Sequence, residues 1–367
     1  MTKTLLLVGS GHAHVEVLRQ LALNPPSNAD IALFNPSPNA WYRGMLPGVI
    51  AGHYDPVMAK INLWALCQRA RVRFFETSIL SLDAGQRVAT SGLGESHRFD
   101  LISVDVGCVS RPIPSSPGAY VVSVKPIDPL LAAIAEFESV RSSQLIVRFV
   151  GGGAQALELA LALAYRWRDA KNRRISIVAA TRLIEVYGPR ARALALRACK
   201  ALDVEVLENS PVERIEPTRL RFSGTGGTID TQLTVLASEY SASPLLDKTD
   251  ASRAADGRLL VNSMLQSVSH PHLFAAGDCA SIAPLTRDLQ SANAVRHGPF
   301  LAANILATLS DDMPLKPCPT DASSLRLVTL GEKKALALHS GLSLSSGWGW
   351  RWKDSIDRKW ISRYTPA

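Results

Sequence analysis

Two glycine-rich turns and one Ala-Gly-Asp element hold the residues whose types and spacing suit chemistry. Gly9-Ser10-Gly11 follows the apolar run Leu5-Leu6-Leu7-Val8, and Gly151-Gly152-Gly153 follows a run beginning Leu145-Ile146-Val147. Each turn leads into a helix-like stretch, and Leu273-Phe274-Ala275-Ala276-Gly277-Asp278 stands late in the chain. Glycines in a strand–turn–helix setting remove the Cβ atoms that would keep a pyrophosphate away from backbone N–H groups, and the helix start offers free donors and partial positive charge. The first turn fits at Gly9 and Gly11, with His14 in the third glycine position; the second fits at Gly151 and Gly153, with Ala156 as an accepted substitute. Read alone, either turn could be a plain strand-to-helix connection. Two of them followed by Ala-Gly-Asp predict a chain that holds two dinucleotides and passes electrons between them.

Other chemistries find less support. His12 and His14 form an HxH, but no acid or cysteine close in sequence completes a coordination shell, so no metal site is expected. The five cysteines (67, 108, 199, 279 and 318) are scattered without a CxxC, which argues against zinc and against a closely spaced redox disulfide. Reduced, mostly buried thiols are expected.

The elements that must position the turns repeat one plan. Residues 4–8, 12–22 and 30–34 read as strand, helix and strand, and Phe99 to Val106 as a further strand ending at Gly107. Residues 41–48 read as a loop. After Pro126 comes a helical pattern to about Val140; a strand at 145–150, a helix at 153–168 that is apolar almost all round, and a strand at 174–179 follow. Thr234 to Ala237 ends this unit, residues 259–280 supply strands back to the first, and Gln290 to Leu309 reads as a long helix. The expected fold is α/β, with two Rossmann-like dinucleotide-binding domains, one inserted in the other, and a small C-terminal α+β domain. The boundaries are 1–120 with 250–310, 121–249, and 311–367.

These strings resemble a known group. The two turns and Ala276-Gly277-Asp278 are similar to the two-dinucleotide flavoproteins of the pyridine nucleotide-disulfide oxidoreductase superfamily, which include type II NADH dehydrogenases and sulfide:quinone oxidoreductases. Gly11-His12-Ala13-His14-Val15-Glu16-Val17-Leu18-Arg19, Gly44-Met45-Leu46-Pro47-Gly48 and Lys353-Asp354-Ser355-Ile356-Asp357-Arg358 resemble a subfamily, some members of which are fused to selenide, water dikinase. The resemblance implies FAD at the first turn, with Gly9, Gly11, His12 and Ala13 at the phosphates and Asn35 near the adenosine ribose. It puts Leu46 and Pro47 near the isoalloxazine, Gly107 and Gly277 in the supporting turns, and Asp278 on a ribityl hydroxyl. NAD(P)H as substrate would meet Gly151, Gly153 and Ala154, with Glu158 facing the nicotinamide and Arg296 favouring an anionic reduced flavin. Asp105-Val106-Gly107 and Ala237-Ser238-Glu239 stand where Ala-Thr-Gly is usual. Ala180 replaces the acid of the second ribose site, where Arg182 could instead meet the 2′-phosphate of NADPH.

The resemblance thus implies an FAD-dependent NAD(P)H dehydrogenase that reduces a quinone or another small-molecule acceptor. A flavin-bound binding or regulatory module without nicotinamide turnover is the alternative; sulfide oxidation is disfavoured for want of paired cysteines. At 367 residues with a formal net charge of +8, the chain has room for a substantial core, and its modest charge is not clustered as nucleic-acid binding would want. No apolar run approaches the roughly 18–20 residues of a membrane helix, so a cytoplasmic chain is expected. The C-terminal end carries four of the seven tryptophans among arginines and lysines. That pattern suits peripheral contact with the inner face of the cell membrane through Trp350, Trp352 and Trp360, the competing reading being a helix packed on the first domain. A homodimer stays open.

Overall fold

The computed structural model describes residues 2–139, 144–224, 226–238, 240–283, 291–310, 314–319, 325–339 and 341–365, and the side chains of 291–293 are outside that description. Glu239, in the second Ala-Thr-Gly position, lies outside the described residues. The chain opens with β1 (Lys3–Val8), α1 (His12–Leu23) and β2 (Ala29–Phe34). Residues 41–48, expected as a loop, instead carry a 3₁₀ turn at Arg43–Met45 and a short helix α2 (Leu46–Ile50). Pro47 lies in its first turn, where the missing N–H has no intrahelical partner to lose. Next come β3 (Arg73–Phe75) and β4 (Leu101–Val104).

The second unit runs β5 (Val121–Ser123), α3 (Ile127–Ser139), β6 (Leu145–Val150), α4 (Ala154–Arg166), β7 (Arg173–Val178), α5 (Gly188–Ala201), β8 (Val204–Leu207) and β9 (Leu233–Leu236). The chain then returns through β10 (Leu273–Ala275) and α6 (Ser291–Ser310). Two parallel five-stranded sheets result, ordered β10-β4-β1-β2-β3 and β5-β9-β6-β7-β8. Their central strands are buried almost without alternation because both faces are covered. On one face of the second sheet the cover is an antiparallel three-stranded sheet, whose Ile215 and Leu220 pack on Val150, Val178 and Leu236. Strand β10 completes the first sheet from beyond the whole of the second, which is the insertion read from the sequence.

In each sheet the glycine turn lies between the first-numbered central strand and its helix. Helix α1 packs against α6 and buries Ala13, Val15, Val17, Leu18 and Leu21. Helix α4 is buried continuously from Leu159 to Ala164.

The C-terminal unit is an antiparallel meander, β11 (Arg326–Thr329), β12 (Ala335–His339) and β13 (Leu342–Ser346), closed by α7 (Gly347–Ile361). It joins two cores. Val328, Leu330, Leu336 and Leu338 pack with the second unit, whereas Trp360, Ile361 and Tyr364 pack with the first.

Candidate functional site

At the first turn the glycines are demanded by a neighbour within the chain. Gly9 has φ +86°, and a Cβ there would stand 2.6 Å from the Asp105 carbonyl oxygen. A Cβ at Gly11 would fall inside the Asp105 carboxylate itself. That carboxylate, at the end of β4, accepts the Ala13 and His14 N–H groups on Oδ2 at 2.9 and 3.2 Å. Helix α1 has no side-chain cap of its own, so Asp105 satisfies donors that a helix start leaves free. Burial pushes Asp105 up to about 7.

His14, in the third glycine position, locks the turn. Its Nδ1 is 2.7 Å from the Gly9 carbonyl and its Nε2 2.8 Å from Ser103 Oγ. A carbonyl only accepts, so Nδ1 carries the proton. Burial lowers the ring to about 4, leaving Nε2 to accept from Ser103. His12 is different. Its Nε2 is buried with no hydrogen-bond partner, while the ring lies edge-on to Tyr42 and Trp360. Burial, and then the nearby Arg43, lower it to about 3, so the ring is neutral.

Beside His12 lies a charged cluster assembled from distant segments. Asp278, 7 % exposed, pairs with Arg43 at 2.7 Å and Lys125 at 3.1 Å. Burial alone would raise its carboxyl, but the two cations hold it well below the usual range. Cys108 Sγ is 3.3 Å from Lys125 Nζ. Gly277, with φ +71°, donates its N–H to His297 Nδ1 at 3.3 Å. Gly107 also has positive φ, and Lys125 Nζ would be 3.9 Å from a Cβ on it.

Asn35 is buried at the end of β2, and its Nδ2 donates to Ser37 O at 2.7 Å. Leu46 and Pro47 are buried in α2. Arg296, expected at the flavin, is exposed on α6 and faces the segment carrying Cys318. The next residue, His297, is the one α6 presents to the Gly277 turn, because the helical period rotates neighbouring side chains by about 100°.

At the second turn the roles of the glycines separate. A Cβ on Gly151 would strike the Ala237 backbone, whereas one on Gly153 would meet nothing within 4 Å. Helix α4 starts at Ala154 without a side-chain cap, and Ser238 Oγ is buried and partnerless. Arg182 is exposed nearby, its carbonyl 3.5 Å from the place of a Gly152 Cβ. Glu158 accepts from Thr329 N at 2.7 Å and Thr329 Oγ1 at 3.1 Å, tying α4 to β11, and burial raises its carboxyl.

The two turns are linked. Tyr240 donates its hydroxyl to Gln155 in the first turn of α4, and Lys125 lies over the Tyr240 ring at 4.9 Å while holding Asp278. Sequence reasoning missed Arg43, Lys125, Tyr240 and His297, which belong to no motif and meet only in space. The role of Asp105 was open to it, since an acid stands where Ala-Thr-Gly has alanine.

The C-terminal tryptophans divide differently from the expectation. Trp360 is buried and stacks on Tyr42 at 4.2 Å, and Trp350 is partly covered by the first core. Trp348 and Trp352 are the exposed pair, at 78 % and 55 %. One face of an amphipathic helix must dock, and here it takes Trp360 with it.

Two parallel sheets, each with a glycine turn opening a helix, and a Gly-Asp turn beside the first define a two-dinucleotide flavoprotein. The pyridine nucleotide-disulphide oxidoreductase family matches residues 3–298, and the chain belongs to it. It is therefore an oxidoreductase whose cofactors are FAD and NAD(P)H. Among curated proteins, it is 23 % identical over 288 residues to a nitrite reductase [NAD(P)H] of Bacillus subtilis (strain 168), covering 76 % of this chain and 34 % of that protein. It thus spans about a third of that relative's length. It is 21 % identical over 290 residues to the NADH dehydrogenase-like protein YutJ of the same organism, covering 76 % and 77 %. Among solved structures, NDH2 from Plasmodium falciparum in complex with NADH superposes with TM-score 0.80 at 14 % identity, covering 99 % of both chains. A sulfide:quinone oxidoreductase from Aquifex aeolicus does so with TM-score 0.80 at 15 % identity, covering 99 % of this chain and 91 % of that one. At such identities the likeness is one of fold.

The residues fit the cofactors. The orphaned His12 Nε2 beside the first turn and the orphaned Ser238 Oγ beside the second are buried polar atoms of the kind a bound ligand satisfies. Gly153 leaves the uncapped start of α4 open to close approach. All five cysteines are buried and unpaired, and no described residues form a group of three or more metal-binding side chains.

Proposed function

We propose that the chain is an FAD-dependent NAD(P)H dehydrogenase, with FAD on the first turn and the nicotinamide dinucleotide on the second. The observation that carries this reading is the Gln155–Tyr240–Lys125–Asp278 connection, which brings the start of α4 and the Gly277–Asp278 turn to one place. When bound, the nicotinamide supplies a hydride and the flavin accepts it. This chain's residues orient and hold charge. The Gly151–Gly153 turn and Ser238 receive the nicotinamide dinucleotide. Arg43 and Lys125 fix Asp278 as a carboxylate, ready to accept from a hydroxyl. Glu158 anchors α4 through Thr329, and the neutral ring of His12 offers Nε2 to the cofactor beside α1.

The acceptor we favour is a quinone reached from a membrane surface. Trp348, Trp352 and Ile356 recur every four residues along one exposed face of α7, and Leu342 and Leu344 are exposed on β13. Arg351 lies over the Trp348 ring, and Lys359 and Arg363 are exposed further along. Exposed tryptophans among cations on a helix suit the interface of an anionic bilayer. None of the described helices is long and apolar enough to cross a membrane.

Anaerobic mixing with NADH and then NADPH tests the first reading. Rapid bleaching of the flavin absorbance by either is the expected result. A flavin-loaded chain that neither nucleotide bleaches would instead be the binding or regulatory module.

A further inference from the structure

The two turns of this chain are an internal comparison. At the second, the position after β9 is Ala237, no carboxylate among the described residues accepts an amide at the start of α4, and a Cβ on Gly153 would meet open space. At the first, the equivalent position after β4 is Asp105, whose carboxylate lies on the start of α1. Oδ2 takes both helix amides. Oδ1 points between Gly11 and Gly277, close enough that a Cβ on Gly277 would stand 2.6 Å from it. Two glycines from separate elements are thus shaped around one acid, in the place where the cofactor's pyrophosphate must approach.

We infer that Asp105 makes FAD binding proton-coupled: its carboxylate shares the anion-binding start of α1 with the pyrophosphate and takes up one proton from solvent as the cofactor binds. The inference rests on the assignment of FAD to the first turn. A carboxylate and a pyrophosphate on one helix start repel each other in a buried site, and protonation of Oδ1 removes one charge while Oδ2 keeps both amide bonds. The acid turns a repelling neighbour into a hydrogen-bond donor.

The other groups facing this spot do not titrate near neutrality. His12 and His14 on α1, and His297 on α6, are held at about 3, 4 and 4, chiefly by burial. Asp278 stays ionised against Arg43 and Lys125, and burial raises the Cys279 thiol. Asp105 itself lies at about 7 before any anion is added, so it has a proton to gain.

Calorimetric titration of FAD into the deflavinated full chain, in two buffers of unlike protonation enthalpy, reads the proton directly. The expected result is close to one proton taken up per FAD at about pH 8, falling toward zero near pH 6, with affinity weakening by up to about tenfold per pH unit above neutrality. Asp105→Asn keeps an oxygen for the two amides and should bind FAD with flat affinity and no proton uptake. Absence of uptake by the wild-type chain across this range overturns the proposal, whether or not the variant folds. Uptake persisting unchanged in the folded variant overturns it as well. If neither chain retains flavin at any pH, the FAD assignment falls and takes the proposal with it.

Discussion

A glycine in a phosphate-binding turn can be required by the ligand or by the chain, and the two turns here separate the cases. Gly11 is required by Asp105, so Gly11→Ala should destabilise the chain without FAD by about 1–3 kcal/mol, the range for overpacking a filled site. In an Asp105→Ala background the same substitution should cost little, and a double-mutant cycle by urea unfolding measures the difference. Equal costs in both backgrounds would show that another contact demands the glycine. Gly153 has ordinary φ and open space, so Gly153→Val should leave unliganded stability within about 0.5 kcal/mol. It should weaken NAD(P)H by tenfold or more, since about 1.4 kcal/mol of lost approach is enough.

Asp278 gives a pH dependence of fixed sign. Its folded-state pKa is depressed by Arg43 and Lys125, so it contributes stability that is present above the unfolded value and lost as pH falls toward the folded one. Asp278→Asn leaves two cations without their partner and should cost about 3–5 kcal/mol near pH 7. The gap from wild type should begin to shrink below about pH 4 in parallel urea titrations. A gap that stays constant down to pH 3 would assign the loss to packing instead.

At the scale of elements, the C-terminal helix is a clamp on the segments that flank α2. Lys353 donates to Gly44 O at 2.5 Å and pairs with Asp357 at 2.6 Å, Asp357 accepts from Tyr42, and Tyr54 donates to Asp354 at 2.6 Å. Tyr364, 2 % exposed, donates to Glu16 on α1. Lys353→Met should leave Asp357 buried without its cation, at a cost of about 3–5 kcal/mol. Faster amide exchange should follow in both Gly347–Ile361 and residues 42–45, because the bonds removed join them. Protection lost in the helix alone would separate the two elements. For the same reason, deleting residues 347–367 exposes the first core around Trp360, Ile361 and Tyr364. Loss of solubility is expected rather than a trimmed, FAD-binding chain.

The whole molecule adds the question of where it works. A net charge of +8 favours anionic surfaces in general, and the face with Trp348, Trp352 and Ile356 joins exposed apolar area to the cations Arg351 and Lys359. Full-length protein should sediment with vesicles containing anionic lipid at low salt and be released as salt shortens the Debye length. The double substitution Trp348→Ser, Trp352→Ser should abolish sedimentation while leaving flavin content and unfolding midpoint unchanged, since neither side chain is buried. Sedimentation that survives the double substitution would move the contact elsewhere. A wild-type chain that ignores vesicles would favour a soluble acceptor.

The turns, the inserted order of the two parallel sheets and the family were legible in the sequence, because all three rest on local periodicity and on glycines read within a few residues. Gly9 to His14 is one such run, and Leu145 to Gly153 another. The boundaries of α3, α4 and α6 followed within a residue or two for the same reason. What the sequence could not say was which partner each special residue meets. Asp105 stands 92 residues from Ala13, Arg43 stands 235 from Asp278, and Tyr42 stands 315 from Asp357. Whether Gly11 answers to a phosphate or to an acid, whether Trp360 is a membrane anchor or a core side chain, and whether Arg296 or His297 faces the Gly277 turn depend on such contacts. Each was decided by how the chain returns on itself, since burial and charge pairing act through space and leave no period in the sequence.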